Sequence, residues 1–308
     1  MLNSTFANDL TPEDLFHAPW ALKIADPQVE IVKVESGSIP VFSLHKQFGL
    51  VTRLPPNVMR ASVSQGPLIE EKLKDSTKIE IYSKLLASVP LSHACHYMTD
   101  DPLAAIAARK AKFNRIDPNF RFVARFRDRD HALQSFKKKL RSDIHRANVT
   151  VAREYDVASF FVAYRSHLRE KRETPRDYTG PEAEVFANEC LARTCGRIYA
   201  AFRSDKMPEA VLFVPNDKNY SYYFLSSRHP NAHSGSMSTL IFEAIVDANE
   251  AGRAFDFLGL YMPTTVDFYL GFGGKLEPFW ELRRTSVAWE SLRLVNRAVR
   301  KARGDEWF

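Results

Sequence analysis

The stretch FDFLGLYMPTTVDFYLGFGGKLEPFWEL, Phe255–Leu282, organises the reading of this 308-residue chain. It opens on a strand expected over Ala254–Leu258. Side chains alternate along a strand, so Phe255 and Phe257 share one face and Asp256 takes the other. A carboxylate inside an apolar strand needs a partner or a wet cleft. Val266–Gly271 then reads as a short helix or turn. Gly273-Gly274 marks a place where backbone can approach closely. Lys275–Leu282 is a further strand, and Val287–Ala302 a basic terminal helix.

Working outward, three β-like runs come earlier in the chain: Arg197–Arg203 (RIYAAFR), Ala210–Pro215 (AVLFVP) and Tyr220–Ser226 (YSYYFLS). Short polar links separate them, the pattern of an antiparallel meander. Tyr222 and Tyr223 are neighbours in the third run and must face opposite sides. The loop SSRHPNAHSGS leads into a helix whose stripe is Leu240, Ile241, Ala244, Ile245 and Ala248, closed by Gly252. Helices are also expected at Ser135–Asn148, Val157–Lys171 and Pro181–Arg193, with a strand at Phe120–Phe126. The first half predicts a hairpin (Val29–Glu35 with Ile39–Leu44), a helix over Leu68–Leu86, a strand at Leu91–Met98 and a helix at Leu103–Phe113. The fold class is α/β with mixed, mostly antiparallel sheets flanked by helices. The domain boundary is placed beside Phe120–Phe126, giving 1–125 and 126–308. No internal repeat relates the halves.

Composition sets outer limits. Hydrophobic residues are 45% and charged residues 26%, which excludes disorder over most of the length. No apolar run reaches the 18 or so residues of a membrane helix. The start lacks a basic region followed by an apolar block, so no secretion signal is expected. Cys95, Cys190 and Cys195 fit no zinc module and read as reduced thiols in a cytoplasmic protein. His229 and His233 are four apart, but Pro230 disfavours a helix there, so no metal is expected. Net charge is +6, and residues 121–176 hold 15 lysines and arginines against 7 acids. Such a stripe suits nucleic acid, a phosphate-bearing molecule or anionic lipid, and equally a solvated helix face. No GxSxG, P-loop, HExxH or paired CxxC is present, which leaves hydrolase, nucleotidase and metalloenzyme readings without support.

Phe255–Leu282 resembles the closing segment of the FemABX-related branch of the GNAT-fold acyltransferases: a strand F-D-F-x-G, a linker, F-Y-x-x-F-G-G, then an aromatic strand. RSDIHRANVTV (Arg141–Val151) is similar to the Arg-rich helix that opens the second domain there. MSTLIFEAIVDANEAG (Met237–Gly252) is similar to its central helix, and PPNVMRASVSQGPL (Pro55–Leu68) to its Pro-rich linker. The resemblance implies two tandem GNAT-like domains. It implies transfer of an acyl or aminoacyl group to an amine or hydroxyl of a small-molecule or cell-envelope acceptor held between the domains. Acyl-CoA, an acyl-carrier thioester or aminoacyl-tRNA would be co-substrate, with no tightly bound cofactor and with tRNA as a partner of the last form. The strands Tyr220–Ser226 and Ala254–Leu258 would part to hold the donor. A non-catalytic GNAT-fold ligand-binding protein is the alternative. A basic nucleic-acid-binding protein without activity rests on charge alone. The sequence leaves the oligomeric state unknown.

Acyl transfer needs a deprotonated nucleophile, a donor to the oxyanion and a proton for the leaving group. The catalytic candidates are Tyr223, Asp256 and Tyr222. By the resemblance, substrate-binding candidates are Arg172 and Tyr178 around the TPRDYTG break, and Tyr261, Tyr269, Phe272, Gly273 and Lys275 in the closing segment. Arg228, Gly235 and Ser236 are the candidates for a donor phosphate loop at a helix start. Two departures stand out. Relatives that use aminoacyl-tRNA commonly carry Lys where this chain has Tyr269, and the glycine-dense turn of CoA users is reduced here to Gly235.

Overall fold

The computed structural model describes residues 13–47, 49–55, 65–171, 180–203, 207–259 and 263–302. In chain order the elements of the first part are α1 (Pro19–Ala25), β1 (Glu30–Val34), β2 (Gly37–Val41), β3 (His45–Gln47), β4 (Leu50–Arg53), β5 (Leu68–Ile69), α2 (Asp75–Ser88), β6 (Ala94–Thr99) and α3 (Pro102–Lys110). Next come β7 (Arg115–Ala124), α4 (Arg129–Ser135), α5 (Lys138–Ala147), β8 (Thr150–Ala152), α6 (Val157–Glu170) and α7 (Pro181–Ala192). The rest are β9 (Gly196–Phe202), β10 (Ala210–Pro215), β11 (Tyr220–Tyr222), β12 (Leu225–Arg228), α8 (Gly235–Glu250), β13 (Ala254–Gly259), α9 (Pro263–Leu270), β14 (Lys275–Thr285) and α10 (Val287–Ala302). The expected mixed α/β architecture, with sheets flanked by helices, is the one observed.

The chain forms two compact units. One comprises, among the described residues, 13–25 and 120–277; the other comprises 26–55, 65–119 and 278–302. Neither unit is continuous in sequence. The segment 13–25 joins the first unit because its apolar residues are used there. Phe16 packs edge-on against Tyr222 and also meets Phe224, and Trp20 stacks on Phe186. An apolar pattern predicts burial without saying in which core.

In the first unit, β8, β9, β10 and β12 form a four-stranded antiparallel sheet in the order β12-β10-β9-β8. A second set runs β11-β13-β7, β11 parallel to β13 and β13 antiparallel to the 121–124 end of β7. Helix α8 packs its Leu240, Ile241, Ala244 and Ile245 into a core shared with Leu212, Phe136, Phe255, Phe257 and Phe272. Gly252 follows α8 at φ +72°, and Arg253 N donates to Ala248 O, the glycine-dependent closure expected from sequence. In the second unit β1, β2 and β5 form a three-stranded antiparallel sheet, and β14, β6, β4 and β3 are hydrogen-bonded in that order.

Two expectations are corrected. The helix over Leu68–Leu86 begins only at Asp75; Leu68 and Ile69 instead pair with Ser38 and Gly37. Ile69 lies with Ile81 and Leu85 around Gly37, so its side chain is used by the sheet rather than by a longer helix. The run Tyr220–Ser226 is not one strand. It breaks after Tyr222 into β11 and β12, which belong to different sheets.

Candidate active site

That break builds the site. Tyr220, Ser221 and Tyr222 pair in parallel with Ala254, Phe255 and Asp256. Tyr223 N then donates to Asp256 O at 2.8 Å, and there the pairing ends. Phe224 N turns to Phe213 O, and Leu225–Arg228 run antiparallel along β10. On the other side β13 shifts register against β7 between Asp256 and Gly259. Leu258 sits in this shift at φ +62°, a left-handed conformation that a leucine adopts only when its surroundings enforce it. The two strands therefore part at one level, as the sequence reading requires.

One face of the fork is polar and closed. Asp256 is fully buried. Its Oδ2 accepts from Arg121 Nη1 at 3.2 Å and its Oδ1 from Leu258 N at 2.7 Å. Burial pushes its pKa up to about 6, with Arg121 pulling the other way. Arg121, also buried, donates through Nη2 to Tyr220 Oη at 3.0 Å and to Glu277 at 3.2 Å, and its guanidinium lies 4.6 Å from the Tyr220 ring centre. Arg125 adds bonds to Glu277 and Tyr220. Tyr222 is buried on this side and donates its hydroxyl to Asp217 Oδ2 at 2.5 Å. Asp217 also accepts from the amides of Asn219 and Tyr220, and burial raises its pKa to about 6. Burial, with Asp217 alongside, holds the Tyr222 phenol well above its ordinary value.

The other face is aromatic and partly open. Tyr223 lies 5.9 Å from Phe257 and 5.6 Å from Tyr269, ring centre to ring centre, and its hydroxyl meets Ser226 Oγ at 2.5 Å. Tyr223, Ser226 and Tyr269 are all half-buried. Phe255 and Phe257 share this face at 5.0 Å, opposite Asp256, as alternation predicts.

The fork thus gathers Tyr223, Asp256 and Tyr269 from the sequence candidates, with different parts. Both oxygens of Asp256 are committed to shaping the strand, and Tyr222 is a core residue whose hydroxyl is spent on Asp217. Phe272 is fully buried against Phe136, Phe257 and Phe268. The glycine pair serves packing. A Cβ on Gly273 would come within 2.4 Å of Ser135 O, and one on Gly274 within 2.6 Å of Val123 O. Lys275 is exposed at the start of β14. At the start of α8, a Cβ on Gly235 would stand 2.0 Å from Asp143 O, so this glycine lets α8 and α5 approach. Ser236 donates its hydroxyl to Glu209 at 2.5 Å, and His233 N points at the same carboxylate at 3.3 Å. A carboxylate therefore already occupies the electropositive start of this helix. Arg228 is half-buried in β12, its residue paired in register with Ala210. His229 pairs with Glu170 at 2.5 Å, and among the described residues no cluster suited to a metal ion occurs. Arg172, Tyr178 and Tyr261 lie outside the described residues.

Sequence reading passed over Arg121, Arg125, Tyr220, Glu277 and Asp217. The signal was present for the arginines. In FRFVARF they stand four positions apart, an even spacing that puts both on one face of a strand. Much of the basic stripe is likewise neutralised. Arg129 and Arg153 pair with Glu243, Arg153 also with Asp247, and Arg165 with Glu184.

Residues 125–264 match the family model described as an acetyltransferase (GNAT) domain. Among curated proteins none matches. Solved structures with the same fold include the C-terminal domain of an inferred lysylphosphatidylglycerol synthetase from Agrobacterium fabrum, at 12% identity and TM-score 0.57 over 91% of this chain and 90% of that one. FemX matches at 11% identity and TM-score 0.56 over 85% and 90% of the two chains. L-PGS from Bacillus licheniformis matches at 11% identity and TM-score 0.54 over 94% and 92%. These likenesses show the fold alone. Residues 125–264 are thus similar to a GNAT acetyltransferase domain, and the overall fold is similar to those of FemX and the lysylphosphatidylglycerol synthetase domain.

Proposed function

We propose that this chain moves an acyl group, and more specifically an aminoacyl group, from an activated ester to an amine or hydroxyl. The observation that carries the reading is the fork: β11 and β13 paired up to Tyr223 N and Asp256 O, then diverging, with a phenol at the branch. Glu209 at the start of α8 favours an aminoacyl over a CoA donor, because a pyrophosphate there would meet like charge. The name of one structural neighbour, a lysylphosphatidylglycerol synthetase, agrees with that donor. The acceptor is a small molecule or an envelope component.

In this reading the acceptor lone pair attacks the ester carbonyl carbon and a tetrahedral centre forms. The bond from that carbon to the leaving hydroxyl oxygen then breaks. Tyr223 gives its phenolic proton to the leaving oxygen and regains one from the acceptor, so the balance closes without a cofactor. Asp256 and Arg121 are positioning residues that hold β13 in its shifted register. Most of the acceleration comes from holding two substrates together.

The test offers the protein mixed labelled aminoacyl-tRNAs, and separately acetyl-CoA, with a panel of amines and hydroxyl compounds. Transfer from aminoacyl-tRNA that falls about 100-fold in Tyr223→Phe, with unchanged melting, supports the reading. Ser226→Ala keeps the phenol and should lose far less. Transfer from acetyl-CoA alone would replace the donor. Binding of either donor without turnover would instead favour the non-catalytic alternative.

A further inference from the structure

The terminal helix α10 is anchored by its first turn. Trp289 is buried and its N donates to Ser286 Oγ, while Glu290 pairs with Arg115. On the side away from Trp289 the helix presents apolar residues to solvent, from its first residue onward. Val287, Leu294 and Val295 are 84%, 66% and 60% exposed. With the exposed Ser291 and Ala298 they stand at i, i+4, i+7, i+8 and i+11, one continuous stripe on the side away from Trp289. A single exposed leucine needs no explanation, but a stripe of this kind does. The helix sequence adds Arg293, Arg297, Arg300 and Lys301 against one acid, Glu290.

A cationic helix with an apolar stripe and modest overall hydrophobicity suits the boundary of an anionic bilayer, where the stripe enters the acyl region and the cations meet lipid phosphates. A second copy of the helix laid on the stripe would bring like charges together. We propose that α10 docks this chain flat on an anionic phospholipid surface. Among the described residues no helix is long and apolar enough to cross a membrane, so the association is peripheral in this reading. The proposal stands apart from the transfer reaction.

The test is sedimentation of the full chain with vesicles of phosphatidylglycerol and phosphatidylcholine, or of phosphatidylcholine alone. Binding to the anionic vesicles, weakened by salt and at least about tenfold weaker in Leu294→Glu/Val295→Glu, is expected. Both sites are exposed, so circular dichroism should show the variant folded; Val295→Ser serves as a milder second variant with a smaller loss. Protein left in the supernatant, or equal binding by wild type and double variant, overturns the proposal. So does a doubled mass in light scattering that the double variant abolishes, which assigns the stripe to a second copy.

Discussion

Tyr222 and Tyr223 differ by one position and stand on opposite faces of the same fork. On the Tyr222 face, Asp217 accepts from the Tyr222 hydroxyl, and Arg121 donates to both Asp256 and Glu277. On the Tyr223 face, a phenol is half-exposed among Phe257 and Tyr269, with a serine as its polar partner. The more charged face, which looks more catalytic on composition, is the one committed to structure. Buried charge is costly, and charges retained in a core are usually occupied with one another. The less charged face keeps its phenol half-exposed.

Three measurements bear on that contrast. The largest expected effect is on the closed face. Arg121→Ala leaves Asp256 buried without its cation and should cost about 3–5 kcal/mol in urea unfolding at pH 7. The loss should shrink at pH 5, below the Asp256 pKa of about 6, where the carboxyl is neutral in the fold. An equal loss at both pH values would show that Arg121 acts by packing alone.

Next comes Asp217. Its pKa in the fold is about 6, above the ordinary 3.8, so the native state binds a proton before the unfolded chain does. Wild type should therefore gain stability relative to Asp217→Asn as pH falls from 7 to 4, and lose that gain as pH rises through 6. The full span is about 3 kcal/mol for a shift of about two units. Unfolding midpoints of the two proteins across that range measure it, and a flat difference would overturn the shift.

The smallest effect separates the two tyrosines. Tyr222→Phe deletes one hydrogen bond to a carboxylate and should cost about 1.5–3 kcal/mol of stability with transfer intact. Tyr223→Phe should leave stability within about 1 kcal/mol while transfer falls. If the two variants exchange these signatures, the faces have been assigned the wrong way round.

Much of this was legible in the chain. The strands at Gly196–Phe202, Ala210–Pro215 and Ala254–Gly259 and the helices at Val157–Glu170, Pro181–Ala192 and Gly235–Glu250 fall close to where periodicity and glycine stops put them. Opposite faces for Tyr222 and Tyr223, and for Asp256 and its flanking phenylalanines, follow from the pleat. The glycines were harder. Gly235 reads in sequence as part of a donor phosphate loop and Gly273 as a substrate-binding residue, because a glycine required by a ligand and one required by a neighbouring backbone are written identically. Only the carbonyls of Asp143 and Ser135 distinguish the cases.

Local alternation and helix signals by themselves determined most of the longer strands and helices of the second half and which face their side chains take, since both depend on neighbours a few residues away. Tertiary structure alone decided that YSYYFLS divides between two sheets. It also decided that Asp256 meets Arg121, 135 positions distant, and that 13–25 joins the core of 120–277. Those outcomes depend on which distant partner lowers the free energy of a buried group, and a single chain of letters does not record which partner arrives.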